Sequence, residues 1–415
     1  MTDLFTNHRR FADLDDWHRE ADALRADGVV QWIDRSDEDF PPFWAVLGLE
    51  EVLAVERQPA LFTNEPLAVL GKRSDIAAAE ASGATIRSLV QMDAPDHPKY
   101  RRLTADWFKP SSLNRMQARL DELAKEALAR MEAAGGECDF SKDVSVWYPL
   151  AVILAILGLP EDDYPRMLTL TQELFGATDE EMGRGGNEGL IATVLDFFRY
   201  FGELTADRRE HPTTDLASLI ANGQIDGQPL PDLELMSYYV IIAAAGHDTT
   251  SSALTGGLEA LLQQPDQLAR LQADPSLLST AVDEMIRWVS PVRHFTRTAQ
   301  ADTEIAGTRI AQGDLVYLSY LAANRDPRVF EDPHRFDVGR ANADRHVAFG
   351  FGAHFCLGAQ LARMEMRTLF RHLLARLEWA ELAGPASTMK TTFVGGIKSL
   401  PIRYRLTPSA SDMMA

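Results

Sequence analysis

One cysteine in a glycine-rich loop constrains this chain more than any other feature. Phe349-Gly350-Phe351-Gly352-Ala353-His354-Phe355-Cys356-Leu357-Gly358 runs straight into a helical pattern marked by Leu357, Leu361, Met364, Leu369 and Leu373. Glycine lets the main chain approach closely, and a helix start leaves N–H donors unpaired. Such donors, with the positive end of the helix dipole, lower a thiol's pKa and suit its sulfur to a metal. The glycines miss the dinucleotide-binding spacing, because Phe355 stands where the third should be. No second cysteine or paired histidines stand at zinc-ligand spacing. A lone thiolate with no protein co-ligand points to haem iron, whose in-plane positions the porphyrin fills. The competing reading is a glycine turn around a half-buried cysteine that packs as a small hydrophobe.

Composition excludes several classes. A net charge of −20 speaks against nucleic acid, whose phosphates would be repelled. Two cysteines in 415 residues, Cys138 and Cys356, fit a reducing cytoplasm better than secretion. Cys138 lies in a turn-like segment with no ligand partner and reads as structural. The charged opening, with Asp3, Arg9, Arg10, Asp13, Asp15 and Asp16, predicts neither a signal peptide nor a membrane anchor. The longest apolar run, Ala151 to Leu159, is far short of the roughly 20 residues that span a bilayer.

No repeat, low-complexity block or long linker divides the chain, and helical periodicity dominates. Residues 113–133 repeat apolar side chains every three or four positions. Pro231 opens a long helix expected to run to about Pro265, roughly 50 Å at about 1.5 Å per residue. Asp274-Pro275 supplies an N-cap and first turn for another, ending near Val289. Short strands are expected around Gly307, at Leu315 to Tyr320, and in a hairpin around Gly395-Gly396. Five glycines and several acids between Gly176 and Gly189 predict a flexible connection, either a lid over an entry route or an ordinary surface loop.

Inside the long helix stands Ala243-Ala244-Ala245-Gly246-His247-Asp248-Thr249-Thr250-Ser251-Ser252. Glycine costs a helix about 1 kcal/mol relative to alanine, and Ser or Thr can bend it by bonding to nearby carbonyls. One reading is close packing of small residues against a neighbour. The other is a local opening for dioxygen and water.

These segments together resemble the cytochrome P-450 superfamily over about residues 15 to 405. The decapeptide looks like its haem-binding signature and the long-helix segment like its oxygen-activating motif. Glu284-Met285-Ile286-Arg287 and Phe330-Glu331-Asp332-Pro333-His334-Arg335-Phe336 resemble its Glu-x-x-Arg and Pro-x-Arg-Phe elements. Finer likeness, at residues 136–140, 245–252 and 393–403, is to soluble bacterial enzymes that hydroxylate terpineol and similar terpenoids.

The resemblance implies one mainly α-helical domain over residues 1–415 with small β-sheets, clamping haem b between the long helix and the cysteine helix. It implies Cys356 as the iron ligand and Asp248 with Thr249 as the groups that deliver protons while dioxygen is cleaved. Glu284, Arg287 and Arg335 would form a buried ionic network behind the cofactor. His97, Arg101, Arg297 and His354 would hold its propionates, with Arg293 a competitor for the place of Arg297. His247 reads as a hydrogen-bonding neighbour rather than a ligand. Ile241, Ala244, Ala245, Val292, Phe295, Phe393 and Val394 resemble pocket-lining positions, apolar and uncharged. They imply a compact hydrophobic substrate, a monoterpenoid or alkyl aromatic, with branched fatty acids, isoprenoids or sterols as the alternative. With no flavin or iron–sulfur motif in the chain, electrons would come from a separate ferredoxin and its reductase. Arg101, Arg102, Lys109, Arg363 and Arg367 are a candidate docking patch. A peroxide-driven hydroxylase is disfavoured by the intact acid–alcohol pair, and a haem-binding sensor would not need one.

Overall fold

Two consecutive helices, Asp232–Ala245 and Asp248–Gln263, cross the centre of the protein. The computed structural model describes residues 2–408. After an exposed start at Asp232-Leu233, the first of these helices buries Leu235, Tyr238, Tyr239, Val240, Ile242 and Ala243 around its whole circumference. A helix apolar all round belongs in a core. The expected single helix from Pro231 to Pro265 is therefore two, separated at Gly246-His247. There His247 leaves helical geometry, with φ −114° and ψ −62°.

Around this axis pack the helices Asp96–Ala105, Gln117–Ala133, Trp147–Leu157, Tyr164–Phe175, Gly186–Glu210, Leu278–Val289 and Ala359–Arg376. The periodic stretch from residue 113 is helical throughout: a short α-helix at Pro110–Leu113 and a 3₁₀ turn at Asn114–Met116 lead into the helix Gln117–Ala133. Asp274 caps as the sequence suggests, accepting from the Ser276 N–H, but a tight turn over Pro275–Leu277 precedes the helix.

A five-stranded sheet flanks the helices in the order Val30–Ile33, Phe43–Val46, Leu315–Ser319, His294–Ala299, Phe62–Thr63. Leu315–Ser319 runs parallel to Phe43–Val46 and antiparallel to His294–Ala299, with Leu318 opposite Phe295. The terminal hairpin pairs Ser387–Thr388 with Ile397–Ser399, and Pro401–Leu406 joins a different sheet. Across the hairpin tip Val394 bridges to Val292, which brings two apolar side chains to one cavity wall. Among the described residues no helix is long and apolar enough to cross a membrane.

A buried ionic network stands behind the cysteine loop. Arg287 donates to both carboxylate oxygens of Glu284, at 2.7 and 2.8 Å, with both side chains wholly buried. The third side chain is Arg340, whose Nε lies 3.1 Å from each Glu284 oxygen. Arg335, expected in that place, is exposed and contributes only its carbonyl, which accepts from Arg340 at 2.7 Å. The chain turns sharply after Phe336, and the guanidinium that reaches inward is the one five residues on. Arg287 also donates to the Asn324 carbonyl at 2.8 Å, and the Asn324 amide oxygen accepts from the Val347 N–H at 2.8 Å. The network thus grips the strand of chain that enters the loop.

Candidate active site

The cysteine loop is shaped by its glycines. Gly350 and Gly352 have φ of +65° and +67°, the left-handed region in which a side chain is strained. A Cβ on Gly352 would also stand 2.6 Å from the Glu56 carbonyl oxygen. The turn closes where the Cys356 N–H donates to the Phe349 carbonyl at 2.8 Å. Cys356 is accessible only in that its surface faces an interior cavity, while protein surrounds it on the other sides. Burial raises its pKa, and the Gly358 N–H, Arg101, Arg363 and the Ala359 N–H oppose the rise. The sequence led us to expect a lowered pKa. In the fold burial outweighs the donors, so ionisation of the sulfur would follow from metal coordination. Among the described residues no group of three or more His, Cys, Asp or Glu side chains could hold a metal ion.

Four cationic or potentially cationic side chains face the same cavity: His97, Arg101, Arg297 and His354. His97 and His354 lie with ring centroids 4.1 Å apart, and the buried His97 Nε2 has no partner. Burial, then the Arg101 charge, pushes His97 down to about 4. Burial, then His97, Arg297 and Arg101, pushes His354 down to about 3. Glu56 beside Arg297 and Asp93, 3.9 Å from His354 Nε2, are the acids nearby, and the two arginines with the unpartnered His97 Nε2 offer donors that the two carboxylates of haem would match. Arg297 donates to Glu56 at 3.1 Å, while Tyr320 donates to the same Glu56 oxygen at 2.5 Å. Arg293, the competitor for this place, points elsewhere: it donates to the Thr391 carbonyl and its guanidinium stacks 4.2 Å over Phe11.

Opposite Cys356 the cavity meets the helix break. Thr249 lines it, and its hydroxyl donates to the Ala245 carbonyl at 2.9 Å across the gap. A Cβ at Gly246 would come within 2.8 Å of Ile153 and of the Ile242 carbonyl, so close packing and the opening both require glycine here. Asp248 turns away from the cavity. One of its oxygens is buried without a partner, and burial drives the carboxyl up to about 8 against the pull of Thr171. His247 is fully buried and pushed down to about 3, so its contact to Asp248 at 3.5 Å joins two neutral groups rather than an ion pair.

The remaining wall is apolar. Ile241, Ala245, Val292, Phe295, Phe393 and Val394 all line the cavity, and Phe295 packs 5.4 Å from Phe393. Ala244 does not: it is wholly buried in the core. Residues 241, 245 and 249 follow one another at four-residue steps on one helix face, and 244 lies about 100° away from 245. One cavity is lined by Cys356, the four basic side chains and this apolar wall together, so a cofactor and an apolar ligand would share it.

Several lining residues went unseen in the sequence. Leu89, Val90, Phe108 and Phe175 come from segments with no motif. Glu365 carries a signal that could have been read, since a charged residue sits in the apolar stripe Leu361, Glu365, Leu369. It is fully buried, neither carboxylate oxygen has a partner, and burial holds its pKa well above the ordinary range. The residues of the candidate docking patch have different surroundings. Arg101 lines the cavity, Arg363 pairs with Asp283 at 2.7 Å and Lys109 with Asp106, while Arg102 remains exposed. The connection after Gly176 is pinned rather than loose. Asp179 accepts from the Lys390 N–H at 3.0 Å and from Lys398 Nζ at 2.8 Å, both on the terminal hairpin.

Comparison with known proteins places this architecture. The family model described as Cytochrome P450 matches residues 189–407. The chain is 42% identical to "Cytochrome P450-terp" of Pseudomonas sp, over 88% of this chain and 89% of that protein. It is 34% identical to "Linalool 8-monooxygenase" of Pseudomonas putida, over 91% and 93% respectively. The crystal structure of CYP108D1 from Novosphingobium aromaticivorans superposes with a TM-score of 0.90 at 44% identity, covering 97% of this chain and 98% of that one. Fold, sequence and the lone cysteine agree, and the chain belongs to the cytochrome P450 family of haem-thiolate monooxygenases.

Proposed function

We propose that this monooxygenase hydroxylates a compact hydrophobic molecule, a monoterpenoid or alkyl-substituted aromatic, with electrons from a separate ferredoxin and reductase. Haem bound by a cysteine thiolate supplies the activation of dioxygen. Cys356 is the ligand in this chain, and His97, Arg101, Arg297 and His354 hold the propionates. The observation that carries the reading is one cavity lined by Cys356, by Thr249 and by a set of uncharged, mostly apolar side chains.

Ile241, Ala245, Val292, Phe295, Phe393 and Val394 bind the ligand by burying its apolar surface, at about 25 cal/mol per Å², and keep bulk water from the reacting carbon. Thr249 holds a hydrogen bond at the helix break. Asp248 carries a proton at neutral pH because burial keeps its carboxyl neutral. Together they supply the protons that oxygen cleavage consumes. Nothing on the cavity's apolar side would neutralise a charged ligand. The relatives named for linalool and P450-terp support the substrate class.

The test is a titration of haem-loaded protein with monoterpenoids, alkylbenzenes, branched fatty acids and polar charged compounds, following the low-spin to high-spin absorbance shift. The first two groups should shift the spectrum at micromolar concentration. Shifts confined to charged compounds, with none for any terpenoid or alkylbenzene, would overturn the reading.

A further inference from the structure

The outward side of the proton-delivering acid has an unusual setting. Asp248 faces away from the cavity into a pocket of protein between the long helix, the Trp147–Leu157 helix and the Tyr164–Phe175 helix. Carboxylates buried in this way are commonly paired with a cation. Here the contact is a neutral histidine, and beyond it a threonine from another helix. Thr171 is wholly buried, with its hydroxyl 3.2 Å from His247 Nδ1 and 3.1 Å from the Leu168 carbonyl.

Glu259 stands about three turns along the same helix from Asp248, Asp232 stands at the start of the preceding helix, and the other charged groups of the surrounding elements are engaged elsewhere. On the Tyr164–Phe175 helix, Glu173 pairs with Arg184 at 2.6 Å, Arg166 stacks 5.0 Å over Tyr200, and Tyr164 lies beside Glu161. Tyr148 donates to the Glu365 carbonyl, and in the turn at Ser141–Ser145 Lys142 and Asp143 both contact Asp139. On the long helix Glu234 pairs with Arg87. His247 is the titratable side chain in contact with Asp248, and Thr171 is the polar group that tunes it.

Resting on the assignment of Asp248 and Thr249 as the proton-delivering pair, we propose that Thr171 is a positioning residue for that relay. Its hydroxyl, carried on the helix before the Gly176 connection, orients the neutral His247–Asp248 pair from outside the helix break. A hydroxyl proton rotates freely. It donates to the Leu168 carbonyl and meets His247 Nδ1, and through that imidazole it steadies the carboxylate when the acid has given up its proton. The acid can then discharge inward without a permanent counter-ion and without leaving a naked buried charge. The relay is thereby built across two helices, one of which also forms part of the cavity cover through Phe175.

The experiment compares Thr171→Val, Thr171→Ser and Asp248→Asn in haem-loaded protein with a surrogate ferredoxin system. Product and hydrogen peroxide per NADH are measured from pH 6 to 10, beside substrate affinity from the spin shift. Thr171→Val is expected to lower product per NADH at least fivefold, with peroxide making up the difference and affinity within threefold of wild type. Its alkaline limb should move to higher pH, because a hydrogen bond that favours the ionised acid is gone. Thr171→Ser should recover coupling to within twofold. If Asp248→Asn is impaired while Thr171→Val couples like wild type, Thr171 has no positioning role and the relay stands without it. If valine and serine are equally impaired, packing rather than the hydroxyl matters and the proposal is overturned. If Asp248→Asn itself couples like wild type, the acid is not in the relay, and the reading beneath the proposal fails with it.

Discussion

Thr249 donates its hydroxyl to the Ala245 carbonyl at 2.9 Å, tying together the two halves of a helix that Gly246 and His247 interrupt. An alcohol on the cavity side of the break can exchange that carbonyl for another acceptor without disturbing the core. Thr249→Ala is therefore expected to bind substrate and consume NADH nearly as wild type does. Product per NADH should fall by about tenfold or more, given what positioned proton transfer contributes, and hydrogen peroxide should rise. Peroxide and product assays check this, and an unchanged product yield would remove Thr249 from the relay.

The pH dependence follows from the acid behind it. Burial raises Asp248 from its ordinary 3.8 to about 8, so the group is neutral below that value and ionised above it. Coupling should hold between pH 6 and 7 and decline as pH rises through 8. In Asp248→Asn that alkaline limb should disappear along with most of the coupled activity. A steady-state pH series of product per NADH reads both effects.

The ionic network separates two arginines that the sequence could not. Arg340→Ala removes a partner from the buried Glu284 and should cost about 3–5 kcal/mol, with loss of haem incorporation. Arg335→Ala, at an exposed position, should change stability by less than about 0.5 kcal/mol. Denaturant unfolding and haem content measured on both variants decide the assignment.

Asp179 fastens the connection at Gly176 to the terminal hairpin. Burial pushes its carboxyl up, yet the Lys390 N–H and Lys398 hold it below its ordinary value, so it stays ionised at neutral pH. Phe175, on the same side of the clasp, lies 6.4 Å from Phe393 on the hairpin. Asp179→Asn should speed ligand association and dissociation severalfold while changing affinity by less than about threefold. Stopped-flow measurement of the spin shift separates the two rates.

Much of this site could be read from local sequence. The cysteine loop, the glycine within the long helix and the Glu284–Arg287 pair are short-range features; the loop stands out by its own residues, while the pair is legible through the family resemblance, since its spacing alone is common on solvated helices. What escaped depends on distant chain. The strands Val30–Ile33 and Phe43–Val46 are four residues each and take their place from Leu315–Ser319, nearly three hundred residues away. Ala244 was misplaced because the face of a helix that looks onto a cavity depends on its neighbours. Arg335 and Arg340 flank the same turn, and only packing decides which guanidinium goes inside. Thr171 gave no signal, since a threonine on an amphipathic helix acquires meaning only from the His247 and Asp248 it meets.

The proposed function joins in one cavity a cysteine-ligated haem, a proton-delivering pair and a compact apolar substrate. Its most direct test is turnover of a monoterpenoid that shifts the spin state, using isotope-labelled dioxygen, NADH, and a surrogate ferredoxin and reductase. Mass spectrometry should find a hydroxylated product carrying one labelled oxygen atom, absent from the Cys356→Ala variant. Labelled product from Cys356→Ala equal to wild type, or no oxygenated product from any compact apolar ligand that shifts the spectrum, would contradict the account.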